Sequence, residues 1–87
     1  MTTYTDTVLN ALSDPTRRSV LELVAERPRP VGELASALPV SRPAVSQHLR
    51  VLKDAGLLVE THVGTRHLYV LRPTGLQELA EYLQRFW

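Results

Sequence analysis

The sequence predicts a mainly α-helical domain with one small β-hairpin, in the order α-α-α-α-β-β-α. Apolar residues recur at intervals of three and four over several stretches, which is the spacing of an amphipathic helix. Two strand-like runs also flank Gly64, where a tight turn would join them. Because the chain has 87 residues and no internal repeat, we expect residues 1–87 to form one domain.

The first three predicted helices are separated by helix-breaking residues. The first covers residues 5–12. Asp14 is the predicted N-cap of the second, and Pro15 suits its first position because the missing N–H is not needed there. That helix runs to about residue 26, and a proline-rich break then precedes a third helix over residues 31–38.

The fourth predicted helix has a clear beginning and a clear end. Ser41 is its predicted N-cap, and Pro43 lies within the first turn. The helix runs to Ala55, and Gly56 follows at a position where a left-handed residue is favoured.

Two predicted strands and a last helix complete the chain. Residues 57–63 and 65–71 form the strands, and Gly64 takes the first central position of a type II′ turn. Pro73 opens the fifth helix. Two short helices joined by a proline-containing turn and followed by a hairpin are typical of a winged helix-turn-helix domain.

Composition excludes several classes of protein. The chain has no cysteine, so disulfides and thiolate metal sites are excluded. It has no apolar run near the roughly 20 residues of a membrane span and no signal peptide, so we expect a cytoplasmic protein without membrane contact. The net charge is only +1, but residues 41–72 hold five basic and two acidic residues, as expected of a DNA-facing surface.

The fourth helix has one apolar and one polar side. With Val45 as the reference, Leu49, Leu52 and Gly56 lie within about 40° of it and are predicted to face the core. The outward side near the helix N-terminus carries four residues of the types that bond to base edges, namely Arg42, Ser46, Gln47 and Arg50. Any surface helix is polar outside, but the preceding helix and the following hairpin favour DNA binding here.

Three stretches of the chain resemble one family. They are DPTRR at residues 14–18, VGELA at residues 31–35 and VSQHLRVLKDAGL at residues 45–57. Together they resemble the ArsR-type (ArsR/SmtB-like) family of winged helix-turn-helix repressors, over nearly the whole chain. The resemblance implies a homodimer assembled through the first and last helices. Two such protomers would place their fourth helices in successive major grooves of double-stranded DNA, on an inverted repeat. The resemblance also implies that the fourth helix enters the major groove and that the hairpin is the wing.

Further contacts are expected around this helix. The residues predicted to meet phosphate or to act from the wing are Ser41, Lys53, His62, Arg66 and either Arg17 or Arg18. The residues predicted to form the dimer interface, on the first and last helices, are Tyr4, Val8, Leu76, Leu79, Leu83, Phe86 and Trp87. The apolar side of the last helix has a second interpretation, in which it packs only on the core of its own protomer and does not contact a partner.

No metal, cofactor or catalytic site is predicted. The positions of one familiar cysteine pair in the family are Ala35 and Ala37 here, and the last helix has no histidine. His62 and His67 would be cross-strand neighbours, but a zinc site needs three or four ligands. Two alternatives remain: a metal-responsive repressor with a non-standard site, and a winged helix that binds proteins. An effector is unknown.

Overall fold

Five α-helices and a two-stranded antiparallel sheet follow one another in the computed structural model, which describes residues 3–87. The elements, in chain order, are α1 (Thr3–Ala11), α2 (Pro15–Glu26), α3 (Val31–Ala37), α4 (Arg42–Asp54), β1 (Leu58–Val63), β2 (Arg66–Leu71) and α5 (Gln77–Gln84), with a 3₁₀ turn over Pro73–Leu76 before α5. This order confirms the predicted fold class. None of the helices between Thr3 and Trp87 has the length and apolar character needed to cross a membrane.

The helix boundaries follow the predicted caps closely. Helix α1 begins two residues earlier than expected and ends one residue earlier. Helix α3 stops at Ala37 because Leu38 is extended, with φ −121° and ψ 146°, and the residue before a proline disfavours the helical region. Helix α4 ends at Asp54, one residue before the predicted end, and Ala55 is its C-cap. Gly56 follows in the left-handed region with φ +80°, so it terminates the helix and is not part of the inward face.

One hydrophobic core joins the helices to the base of the hairpin. Helix α4 packs against α2, α3 and β1, while α1 packs against α5. The inward face predicted for α4 is confirmed, because Val45, Leu49 and Leu52 have at most 1% of their surface exposed. The other buried apolar residues are Val8, Ala11, Val20, Val24, Leu34, Ala55, Leu57, Leu58 and Leu79.

The hairpin has the predicted turn. Gly64, at the first central position, has φ +63°, whereas Thr65, at the second, does not have a positive φ. A positive φ at the first position alone is the pattern of a type II′ turn and excludes type I′. The strands begin one residue later than predicted, at Leu58 and Arg66, since Thr65 belongs to the turn.

The faces of the hairpin follow from its register. Leu58 pairs with Leu71 at the base, Glu60 pairs with Tyr69, and His62 pairs with His67 near the tip. Side chains alternate between the faces of a strand, so these six residues share one face. We call it the inner face of the hairpin because Leu58 is buried in the core and α4 packs against β1.

The segment before α5 differs from the prediction. Pro73 opens a 3₁₀ turn, and the α-helix starts only at Gln77. Gly75 is buried in this turn, where a Cβ atom would lie 2.3 Å from the carbonyl oxygen of Gly56. The Tyr4 hydroxyl donates to the Gly75 carbonyl over 2.6 Å, which ties α1 to the C-terminal segment.

Candidate nucleic-acid interface

The outward face of α4 presents the four residues predicted to meet DNA bases. Arg42, Ser46, Gln47 and Arg50 are all exposed. Their direction follows from the opposite side of the helix, which is held by its buried apolar residues. The predicted N-cap is also present, since the Ala44 N–H donates to the Ser41 Oγ over 3.2 Å.

The N-terminus of α4 offers fewer free amides than an uncapped helix. Pro43 has no N–H, the Ala44 N–H is bonded to the Ser41 side chain, and the Val45 N–H donates to the Ser41 carbonyl over 3.0 Å. Free N–H groups at a helix N-terminus can bind phosphate. The cap satisfies most of them internally, so the side chains are the principal groups available to DNA here.

The arginines of the chain differ in the partners of their guanidinium groups. In α2, the Arg17 Nε donates to the Ala11 carbonyl over 2.7 Å, and the Arg18 Nη1 donates to the Leu12 carbonyl over 2.6 Å. Both guanidinium groups therefore cap the C-terminus of α1. This position suits a cation, because the last carbonyls of a helix carry partial negative charge. It explains these two arginines without a phosphate contact.

The arginines of α4 and the wing are different. No ion pair within residues 3–87 involves Arg42, Arg50 or Arg66, and all three are exposed. By contrast, Arg27 and Arg29 both pair with Glu33. Arg72 after β2 and Arg85 after α5 are also exposed and have no ion pair among the described residues. Arg42, Arg50 and Arg66 give α4 and the hairpin three exposed guanidinium groups that a polyanion would neutralise.

A groove separates α4 from the hairpin. Its lining includes Ser46, Arg50 and Lys53 on α4 and Tyr69 on β2. Burial raises the pKa of the Tyr69 hydroxyl, and the neighbouring Glu60 carboxylate raises it further, so Tyr69 is a neutral hydrogen-bonding group at physiological pH. The predicted wing residues His62 and Arg66 are exposed near the tip.

Glu60 joins the two wing histidines on the inner face. Its carboxylate lies 3.3 Å from the His67 Nδ1 and 3.9 Å from the Lys53 Nζ. The His62 and His67 rings, which the sequence predicted to be neighbours, have centroids 4.0 Å apart. Glu60 is not among the predicted site residues. The alternation of side chains along β1 is the signal that could have found it, because Glu60 lies two residues before His62 and therefore on the same face.

Helix α2 begins at the side chain of Asp14. The Arg17 N–H donates to the Asp14 Oδ2 over 2.8 Å, and this hydrogen bond holds the pKa of the Asp14 carboxyl below its ordinary value. His48 of α4 lies near the same carboxylate, with its Nδ1 3.9 Å from Oδ2. His48 therefore faces α2 and not the groove.

Arg29 positions the elements around α4, and the sequence analysis missed it. The residue is only 9% exposed. Its guanidinium donates to the Leu23 carbonyl over 2.6 Å, to Glu26 over 2.6 Å and to Glu33 over 2.8 Å. Its backbone exchanges hydrogen bonds of 3.1 and 2.8 Å with Tyr69, so the two residues form an isolated antiparallel β-bridge at the edge of β2.

This arrangement connects the end of α2, the start of α3 and the wing. Glu33 is the shared acceptor: a hydrogen bond from Arg27 holds the pKa of its carboxyl below the ordinary value, and Arg29 adds to the effect. An arginine between two glutamates at spacings of three and four was the available signal in the sequence.

The predicted dimer residues divide into buried and exposed sets. Val8 has no exposed surface and Leu79 only 8%, so both belong to the protomer's own core, and the prediction that they face a partner is corrected. Tyr4 and Leu76 are partly buried against that core. The apolar surface left at this end is that of Leu83, Phe86 and Trp87, which are 39, 67 and 86% exposed.

Sequence comparisons agree with this architecture. Residues 14–60 match the model of the arsR family of bacterial regulatory proteins. The HTH-type transcriptional regulator Rv2034 of Mycobacterium tuberculosis is 55% identical, over 100% of this chain and 83% of its own length. The transcriptional repressor SdpR of Bacillus subtilis is 34% identical, over 91% of this chain and 88% of its own.

Solved structures show the same fold. An ArsR-like transcriptional regulator from Rhodococcus sp. RHA1 superposes with a TM-score of 0.88 at 34% identity, covering 95% of this chain and 78% of that one. Mb0332 of Mycobacterium bovis is described as a homodimeric winged helix-turn-helix DNA-binding domain. It superposes with a TM-score of 0.78 at 28% identity, covering 95% of this chain and 77% of that one. These relatives are regulators and not enzymes. The chain therefore belongs to the arsR family of bacterial regulatory proteins, and it is a transcriptional regulator with a winged helix-turn-helix DNA-binding domain.

Proposed function

We propose that the chain is a homodimeric repressor that binds an inverted-repeat operator in double-stranded DNA. Each protomer places α4 in the major groove, and the two helices enter successive grooves roughly 34–36 Å apart. Arg42, Ser46, Gln47 and Arg50 contact base edges or the nearby backbone. The phosphate contacts come from Ser41, Lys53, His62 and Arg66.

Three exposed arginines on α4 and the wing support this proposal most strongly. Arg42, Arg50 and Arg66 are exposed on α4 and the wing, and none of them has an ion-pair partner among the residues that the structure describes. Arg17 and Arg18 already bind the carbonyls at the end of α1, so we leave them out of the proposed phosphate contacts. A polar face with free guanidinium groups fits DNA better than the apolar patch that a protein-binding winged helix would need.

The exposed apolar surface at the end of α5 supports a homodimer. Phe86 and Trp87 project beyond the core, and Phe86 packs edge-on against Tyr82 with ring centroids 5.3 Å apart. Large aromatic side chains are costly to leave in water and are enriched at interfaces. Mb0332, which shares the fold, is described as homodimeric. We therefore propose that Leu83, Phe86 and Trp87 contact the partner.

Other features of the proposal follow from the family. SdpR is described as a repressor, which supports the same direction of control for this chain. A regulator that binds DNA in a bacterium would work in the cytoplasm. The continuous core from α1 to α5 supports one DNA-binding domain over residues 1–87.

Selection of bound sequences from a random double-stranded DNA pool tests the proposal directly. We expect a palindromic motif whose half-sites are separated by about one helical turn, or a multiple of it. Recovery of no motif, or of a single unpaired half-site, would contradict the proposed mode of binding.

Matched variants test the contacts of α4 on the selected operator. Gln47→Ala should lose about 1–3 kcal/mol of discrimination at one base pair. Arg50→Ala should weaken binding, whereas Arg27→Ala removes the same charge from a residue already paired with Glu33 and should change it little. Equal losses for Arg50→Ala and Arg27→Ala, measured by fluorescence anisotropy, would indicate a general charge effect and refute the role of α4.

Wing contacts have a different signature. Arg66→Ala should weaken binding to all sequences and lower the slope of log affinity against log salt by about one, because one phosphate contact is lost. An unchanged slope would exclude Arg66 from the phosphates.

The dimer interface is tested at residues that are exposed in the protomer. Leu83→Glu with Phe86→Glu should yield monomers by light scattering without unfolding the chain, because both side chains lie outside the core. A Leu79 substitution would not be informative, since it would damage the core itself. A dimer that persists in the double variant would refute this interface.

A further inference from the structure

We propose that Glu60, His62 and His67 form a binding site for a divalent transition-metal ion of the zinc type on the inner face of the hairpin. The site lies on the wing. It is separate from the α3 and α5 positions that the sequence analysis considered.

The fold brings these three residues together from two strands. His62 and His67 are directly paired across β1 and β2, and directly opposite residues in such a pair have Cα atoms about 4.5–5.5 Å apart. Glu60 precedes His62 by two residues and therefore projects from the same face. The rigid two-residue turn at Gly64 fixes this register, so a slip that would separate the histidines is disfavoured.

The distances suit a single ion. One ligand atom from each of the three side chains lies within 4.8 Å of the others. The His67 Nδ1 and a Glu60 oxygen are already 3.3 Å apart. Two ligands at the usual zinc bond lengths of about 2.0–2.2 Å are separated by about 3.4 Å when the geometry is tetrahedral. Small rotations of the His62 ring complete the set, because the residue is exposed.

The chemistry of the donors selects the class of ion. Two imidazoles and one carboxylate suit zinc, nickel, cobalt or copper, whereas magnesium and calcium prefer oxygen ligands alone. Three protein ligands leave a fourth position for water. Two histidines by themselves were too few for a site, and Glu60 supplies the missing ligand.

The surroundings of Glu60 hold it in place. Lys53 lies 3.9 Å from one of its oxygens, and His67 lies 3.3 Å from the other. Such partners of a ligand restrict its orientation and contribute to metal affinity. Lys53 also belongs to α4, so the proposed site lies between the wing and the helix that meets DNA.

A bound ion would alter the charge of this groove. It would replace the Glu60 charge with a net positive one beside Lys53, whose Nζ lies 3.9 Å from Glu60. Lys53 also lines the groove between α4 and the hairpin, together with Arg50. If the proposed function holds, the metal should strengthen DNA binding, because added positive charge beside the phosphates favours association. This coupling rests on the proposed function, but the metal site does not.

Titration with Zn²⁺ alone, without DNA and with an untagged protein, tests the site. We expect one ion per protomer by calorimetry. His62→Gln and His67→Gln should each weaken binding by about tenfold or more, because each removes one of only three protein ligands. His48→Gln is the matched control, since this third histidine faces Asp14, and it should bind zinc as the unmodified chain does.

Nuclear magnetic resonance of the imidazole groups locates the ion. Zinc should shift the ring signals of His62 and His67 and leave those of His48 unchanged. Absence of saturable binding, equal affinities for the cluster variants and His48→Gln, or shifts centred on His48 would each overturn the proposed site.

DNA titrations separate the site from its coupling. In the absence of metal, His67→Gln and the unmodified chain should bind the operator with the same affinity. When Zn²⁺ is added, only the unmodified chain should gain affinity. Operator binding that zinc leaves unchanged would overturn the coupling while retaining the site. Failure of both proteins to bind any operator would instead refute the proposed function.

Discussion

Replacement of the buried Arg29 by methionine should destabilise the domain more than any change of charge on its surface. The guanidinium makes three hydrogen bonds, one to the Leu23 carbonyl and one each to Glu26 and Glu33. Its side chain is 11% exposed. Methionine fills most of the volume of the aliphatic stem but forms none of these bonds.

The expected loss of unfolding free energy in Arg29→Met follows from the exposure of the two glutamates that accept its hydrogen bonds. Removal of one partner from a fully buried ion pair costs about 3–5 kcal/mol. The Glu26 side chain is 66% exposed and keeps its hydration, while Glu33 retains Arg27 as a partner. The loss should therefore be smaller, about 2–3 kcal/mol, in line with charge-assisted hydrogen bonds to partly hydrated groups. For a chain of this length that corresponds to a fall in Tm of roughly 10–20 °C.

Thermal unfolding by circular dichroism measures this loss, at one protein concentration for all variants. Arg27→Met is the matched control. It removes the other arginine that pairs with Glu33, and the Arg27 side chain is 56% exposed, so the fall in Tm should be clearly smaller. If the two variants lose the same stability, or if Arg29→Met melts like the unmodified chain, Arg29 does not hold α2, α3 and the wing together as described.

Three further predictions concern stability. Gly75→Ala should lower the free energy of unfolding in urea by about 1–3 kcal/mol, because its Cβ would meet the Gly56 carbonyl oxygen at 2.3 Å. Gly32→Ala is the control and should be tolerated, since its Cβ meets only a side-chain nitrogen at 3.8 Å. Leu49→Ala should cost about 2–5 kcal/mol in the same assay, because the residue is buried under α4; a loss like that of a surface variant would contradict its place in the core. The pKa of the Asp14 carboxyl is lowered in the folded chain, so its stabilisation is present above the unfolded value and is lost as the pH falls through the lowered one. Asp14→Asn can still cap α2 and should make the urea midpoint less dependent on pH between about pH 5 and pH 2; an identical pH dependence would exclude this contribution.

Local chemistry explains which features were predictable. The caps at Asp14 and Ser41, the positive φ of Gly56 and the turn at Gly64 were all recognisable from a few neighbouring residues. Each depends on interactions within one helical turn or one β-turn, so the order of helices and strands was evident from the sequence. The exposed face of α4 followed from helical periodicity in the same way.

Side-chain partners across the fold were not predictable by these rules. Apolar spacing identified Val8 and Leu79 as members of apolar helix faces, but periodicity does not say whether a face meets its own core or a partner. Arg29 shows the same limit for charge, because the pairing of its backbone with Tyr69 depends on the packing of distant segments.

The sequence by itself determined the helices and strands, the face of α4 that is polar and the family to which the chain belongs. Only the tertiary structure decided which arginines are left without a partner, which apolar residues remain exposed on α5, and that Glu60 lies beside the paired histidines of the wing. The physical reason is range: caps, turns and periodicity act over a few residues, whereas burial and charge pairing are set by contacts between segments far apart in the chain.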